Sequence, residues 1–185
     1  MATMQQTAPT TEKLLTPDEF MQLNIERAEL VDGKVIELMP AVFDHDELAG
    51  IISAALRAFA KKHRLGRVAA GGSFLTEAGN VRAPDVAFVT YEDLEGENTG
   101  KYIQKAPTLA VEIISQNDSY GDVDDKAAEF LRAGSRAVWI VNPRRRTVAV
   151  HTPDNIAITY QMGDTIPGGD ILPNFALPVA DIFED

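Results

Sequence analysis

Apolar residues recur along this chain in two rhythms, and the switches between them lay out its elements. The helical rhythm is clearest over residues 44–63, where Leu48, Ile51, Ile52, Ala55, Leu56 and Phe59 fall three and four apart. Asp46 and Glu47 suit the positive end of that helix and Lys61, Lys62, His63 and Arg64 its negative end. Asp44 and Glu47 have capping-box spacing, and Gly66 is the expected stop. A second helix carries Val123, Ala127 and Phe130 as an inward stripe and ends at Gly134. A shorter one starts at Thr16-Pro17-Asp18-Glu19, with a capping threonine, a first-turn proline and a glutamate three residues on.

The other rhythm is that of strands. Residues 28–38 form two apolar-rich runs about Asp32-Gly33, which predicts a tight hairpin. Glu29 within it reads as a solvated edge charge. Residues 67–76 predict a strand interrupted by Gly71-Gly72, and residues 81–89 a strand with a bulge or edge at Pro84. Residues 109–115 are a further strand. Residues 137–141, 147–151 and 156–160 form a meander, its first turn carrying Arg144, Arg145 and Arg146. Residues 92–100 are acidic and aperiodic, a surface loop suited to act as a flap, and residues 166–185 predict extended packing and a final turn.

Length and composition then narrow the class. One domain over residues 14–185 after a disordered tail at 1–13 suits 185 residues. No apolar run approaches 18 residues and the N-terminus has no signal-like segment, so no membrane span is expected and the cytoplasm is the default location. The absence of cysteine excludes disulfides and thiolate metal sites. A net charge of −11 opposes nonspecific coating of nucleic acid but leaves a local nucleic-acid enzyme open.

Three residues break their patterns. Asp85 shares its strand face with Ala83 and Ala87, and Glu112 shares its own with Ala110 and Ile114. Small neighbours leave room beside each carboxylate for something larger than a side chain, such as a hydrated metal ion. Lys126 falls on the inward stripe of its helix, where an ammonium needs a partner. A buried structural salt bridge and an active site with two acidic metal ligands and a lysine both account for the three. The acids near the start of that helix, Asp122 among them, are explained by helix electrostatics. His45 reads as a surface residue of a first helical turn, and the three arginines fit a solvated turn and a phosphate contact equally.

The ordered set Glu29-Leu30-Val31-Asp32-Gly33, His45, Pro84-Asp85, Glu112-Ile113-Ile114-Ser115, Asp122, Lys126, Gly134 and Trp139 resembles the PD-(D/E)xK nuclease superfamily, in its restriction-endonuclease-like, Uma2-type version. The superfamily usually places its lysine two residues after the glutamate, here Ile114; in the resembled family it has moved to the next helix, as Lys126 has. The aromatic four residues later, often tyrosine there, is Phe130. The resemblance implies an α+β fold with a mixed sheet flanked by helices, and often a homodimer. It implies hydrolysis of phosphodiesters, in DNA first of all, with Mg²⁺ or Mn²⁺ on Asp85, Glu112 and the backbone carbonyl of Ile113. Lys126 would act on the attacking water or the phosphate; Glu29, His45 and Asp122 would be auxiliary. The rival expectation is a binding or assembly module that keeps the fold without turnover.

Overall fold

The computed structural model describes residues 13–40, 42–115 and 118–184; the expected tail lies, apart from Lys13, outside them. The first helix, α1 (Pro17–Gln22), has the full capping box: Thr16 accepts from the Glu19 amide while the Glu19 carboxylate accepts from the Thr16 amide. Such a cap stabilises a short helix by about 1 kcal/mol. Strands β1 (Ala28–Val31) and β2 (Lys34–Glu37) follow as an antiparallel hairpin. Asp32 and Gly33 turn it with φ of 50° and 74°, the left-handed pair that matches strand twist.

Helix α2 (Phe43–His63) presents Leu48, Ala49, Ile52, Leu56 and Ala60 to the core. Two expectations about its ends fail. Its N-cap is Val42, with no side-chain capping bond, so Asp44 and Glu47 are not a capping pair. At the other end Arg64 takes the left-handed conformation (φ 54°) and closes the helix, while Gly66 opens the next strand. Glycine there answers a steric demand, since a Cβ would lie 2.1 Å from the Val89 carbonyl oxygen.

The next two predicted strands are each cut in two. Residues 67–76 divide into β3 (Gly66–Ala70) and β4 (Phe74–Leu75), separated by Gly71 and Gly72 at φ of 71° and 105°. After a 3₁₀ turn (Glu77–Gly79), the chain divides again into β5 (Val81–Arg82) and β6 (Val86–Thr90). In both cases the first and second pieces belong to different sheets. The breaks run side by side, tied by the Gly71 amide donating to the Asp85 carbonyl at 2.8 Å. Pro84, which has no amide to give a ladder, stands in the second break.

Strand β7 (Leu109–Ile113), helix α3 (Tyr120–Arg132) and strand β8 (Ala137–Asn142) come next, then β9 (Thr147–Thr152) and β10 (Ile156–Tyr160) as the expected meander. Gly134, at φ 111°, ends α3 as predicted. The C-terminal segment is more ordered than its composition suggests: β11 (Thr165–Pro167) pairs with β12 (Ala176–Pro178) ahead of α4 (Ala180–Phe183).

The main sheet is mixed, in the order β10-β9-β8-β7-β6-β3, with only β7 and β8 parallel. Helix α2 and the C-terminal segment cover one face, burying Phe88, Val111 and Trp139. Helix α3 covers the other through Val123, Ala127 and Phe130 on Ala110, Val138 and Ile140. A smaller sheet, β2-β1-β5-β4, packs its own core of Phe20, Ala28, Leu30 and Val81. Residues 92–100 leave from the end of β6 opposite Asp85, and Asp93 is anchored by the hydroxyls of Thr90 and Thr108.

Candidate active site

Antiparallel register pairs Val86 with Val111, so Asp85, one residue before β6, and Glu112, one residue after Val111, come to the same end of the two strands. Asp85 itself lies in the break before β6, which frees its side chain to turn: Oδ2 accepts from the Ile113 amide at 2.7 Å. The amide of Ile113 thus orients the aspartate.

Lys126 reaches this pair from α3. Its Nζ lies 3.0 Å from Glu112 Oε2, 2.9 Å from Glu29 Oε1 and 3.1 Å from the Ala83 carbonyl. The ammonium's three donors therefore have three acceptors. Burial by itself would lower the pKa of Lys126, but Glu112 and Glu29 outweigh it and hold the lysine charged.

Glu29 corrects the sequence reading most sharply. It is only 3% exposed, because β1 packs against β5 rather than forming an outer edge. Besides Lys126 it holds the Ala83 amide and Arg82 Nη1, each at 2.9 Å. Arg82 turns the rest of its guanidinium to Glu129, whose other oxygen accepts from Thr76 and Asn80. Sequence reasoning missed both Arg82 and Glu129. Glu129 left a trace, since it follows Lys126 by three and precedes Phe130 by one, beside the inward stripe. Nothing local marks Arg82, whose partners lie 53 and 47 residues away.

The open side of the site is less satisfied. Glu112 is buried, and its Oε1 has no hydrogen-bond partner. Desolvation pushes its pKa up to about 8; Lys126 opposes that shift and Asp85 adds to it. His45, expected on the surface, is largely buried with Nε2 3.3 Å from Asp85 Oδ2 and Nδ1 3.5 Å from Asp46 Oδ1. Its pKa is raised, chiefly by the hydrogen bond to Asp85, against the effect of burial.

Asp85 and His45 face a cleft of about 670 Å³, walled by the α1–β1 connection, the first half of α2 and the Gly71-Gly72 break. Other nominated residues stand apart. Asp122 is exposed in the first turn of α3, its amide capped by Ser119. Arg144, Arg145 and Arg146 are exposed in the β8–β9 turn, outside the cleft wall; that turn lies at the Asp85 end of the sheet, because β8 runs parallel to β7.

Among the described residues no group of three or more His, Asp or Glu side chains is arranged to hold a metal ion. Two neighbouring carboxylates, one with a buried unpartnered oxygen, nevertheless fit a hard cation that keeps several waters.

Comparison with known proteins follows the same line. The Uma2 family model, described as "Putative restriction endonuclease", matches residues 17–180. A crystal structure of "a putative nuclease belonging to DUF820" from Anabaena variabilis ATCC 29413 superposes with a TM-score of 0.78 at 21% identity, covering 91% of this chain and 97% of the other. At that identity the likeness is one of fold. No curated protein sequence matches the chain.

Proposed function

Since the chain belongs to the Uma2 family of restriction-endonuclease-like proteins, we propose that it is a metal-dependent nuclease acting at Asp85, Glu112 and Lys126. One observation carries this reading: Glu112 Oε1 is buried with no partner, next to Asp85, which itself lines a cleft. A salt bridge that served stability alone would gain by satisfying that oxygen, since a buried unpaired acceptor costs about 1–3 kcal/mol.

Asp85, Glu112 and the carbonyl of Ile113 are the groups that would hold Mg²⁺ or Mn²⁺. Bound there, the cation would polarise a phosphate and acidify a water. The chain's own residues do the remainder. The Ile113 amide fixes Asp85 in place. Lys126 directs positive charge at the Glu112 carboxylate and, held by Glu29 and the Ala83 carbonyl, keeps that position when Glu112 turns to another partner. A preorganised ammonium of this kind stabilises charge that develops on a phosphate in the transition state. His45 lies close enough to Asp85 to orient it or to exchange a proton at the cleft floor. Glu29 is a holder of Lys126 in this scheme, and Arg144–Arg146 are reserves for flanking phosphates. DNA as the substrate, a homodimeric assembly and a cytoplasmic location belong to the same proposal, the dimer to be read by sedimentation velocity.

Asp85→Asn tests the reading. It removes a ligand charge and almost no volume, and the amide oxygen still accepts from Ile113. Calorimetry with Mn²⁺ is expected to show uptake by the wild type and none by the variant, with the melting temperature of the metal-free protein nearly unchanged. A folded wild type that takes up no Mn²⁺ at millimolar concentration would instead favour the module without turnover.

A further inference from the structure

The cleft at Asp85 has features that neither the fold nor the buried network requires. Gly50 lies within α2, exposed, on the cleft wall. A Cβ built there would meet nothing within 4 Å. Glycine inside a helix costs about 1 kcal/mol relative to alanine, so the folded chain alone offers no reason for it. Helical spacing puts Phe43, Asp46 and Gly50 on one stripe of α2, and Phe43 is 78% exposed. Met21, Ile25 and Leu38 add an apolar wall.

The charges around this space are unlike those of a duplex-binding groove. Arg27 is the single Lys or Arg on the cleft wall among the described residues, against the acids Glu26, Asp46 and Asp85 of the same wall, and its guanidinium donates to the Met39 carbonyl. A duplex is held by many phosphate contacts along its length, and the net charge of −11 supplies no general attraction. A half-open cavity of about 670 Å³ is instead of small-ligand size.

Resting on the nuclease reading above, we infer that the cleft takes one unstacked nucleotide and that the substrate is single-stranded nucleic acid. The base enters the space kept clear by Gly50, against the apolar wall, and its neighbour stacks on Phe43. The phosphate between them then meets Asp85 and His45. Affinity comes mainly from stacking and apolar contact, which every base provides.

Fluorescence anisotropy with labelled oligothymidine, oligouridine and a two-turn duplex tests this, with Ca²⁺ present so that binding is read without turnover. At least one single strand is expected to bind more than about tenfold tighter than the duplex, and the two single strands decide between DNA and RNA. Phe43→Ala should weaken that binding by about 5- to 100-fold, the range for loss of one stacking platform. Gly50→Leu should abolish it while leaving the melting temperature equal or higher, because the leucine enters open space on a helix. Mn²⁺ uptake should survive both changes. Tighter binding of duplex, or single-strand binding untouched by Gly50→Leu, would overturn the inference. Failure of Mn²⁺ uptake in the wild type would instead overturn the nuclease reading, and the two failures are read in separate measurements.

Discussion

Two halves of one polar network meet at Lys126, and they are built to opposite standards. In the inner half, Glu29 and Glu129 share Arg82, and backbone and side-chain donors fill what remains. In the outer half, Glu112 keeps an oxygen with no partner, and His45 Nδ1 has only a long 3.5 Å contact with Asp46. Both halves bury carboxylates among apolar side chains, so burial does not separate them. Completeness does. A saturated network gives a fixed geometry; an unsaturated one keeps a free energy of interaction in reserve for a ligand. In the proposed function the inner half is the scaffold that aims Lys126 and the outer half is the site.

The largest test of this contrast is the pH dependence of stability. Glu112 is raised from 4.5 to about 8 in the fold. The native state therefore binds more protons than the unfolded chain between those values, and metal-free stability should fall as pH rises through that window. A shift of this size corresponds to roughly 5 kcal/mol. Urea titrations across pH should show the slope in the wild type and lose it in Glu112→Gln. Mn²⁺ binding near neutral pH should release close to one proton, measurable by calorimetry in buffers of different ionisation heat.

Arg82→Leu attacks the scaffold half. It leaves two buried carboxylates without their shared cation, and a loss of about 3–5 kcal/mol in unfolding free energy is expected. If that variant is as stable as the wild type, the inner half is not a scaffold and the contrast collapses.

Lys126→Met acts at the junction. Once a substrate is found, turnover should drop by about two to three orders of magnitude, equal to some 3–4 kcal/mol of barrier, while the methionine stem keeps packing on Val123 and Phe130. Adding Ile114→Lys places an ammonium on the Glu112 face of β7 and should recover part of the rate. A double variant that binds Mn²⁺ but is no faster would mean that Lys126 serves to orient Glu112.

The smallest expected effect is at His45. Its raised pKa adds stability that is fully present below pH 6.5 and is lost as pH rises through the folded value. His45→Gln should therefore cost about 1 kcal/mol near pH 6 and almost nothing at pH 9, as read from thermal melts.

Local chemistry made much of the architecture legible. The Thr16–Glu19 capping box, the Asp32-Gly33 turn, the stripe of α3 and the Gly134 stop each depend on residues within a few positions of one another. Lys126 could be nominated for the same reason, because an ammonium on an apolar stripe violates a rule that operates over single helical turns. Asp85 and Glu112 were marked by their small neighbours in the same way.

The errors share a cause too. Glu29 reads as a solvated edge charge in its own hairpin, and only the pairing of β1 with β5 buries it. His45 reads as a surface residue until α2, packed on one face of the main sheet, brings its first turn to Asp85. The strands over residues 67–76 and 81–89 keep a strand-like apolar pattern through their breaks, yet the chain changes sheets inside each. By itself the sequence determined which residues are out of place in their elements, because period and propensity act over a few residues. Tertiary structure alone decided which of them meet and which partner satisfies each, because the contacts that join β1, β5 and α3 span 47 to 54 residues, a range over which no local pattern carries information.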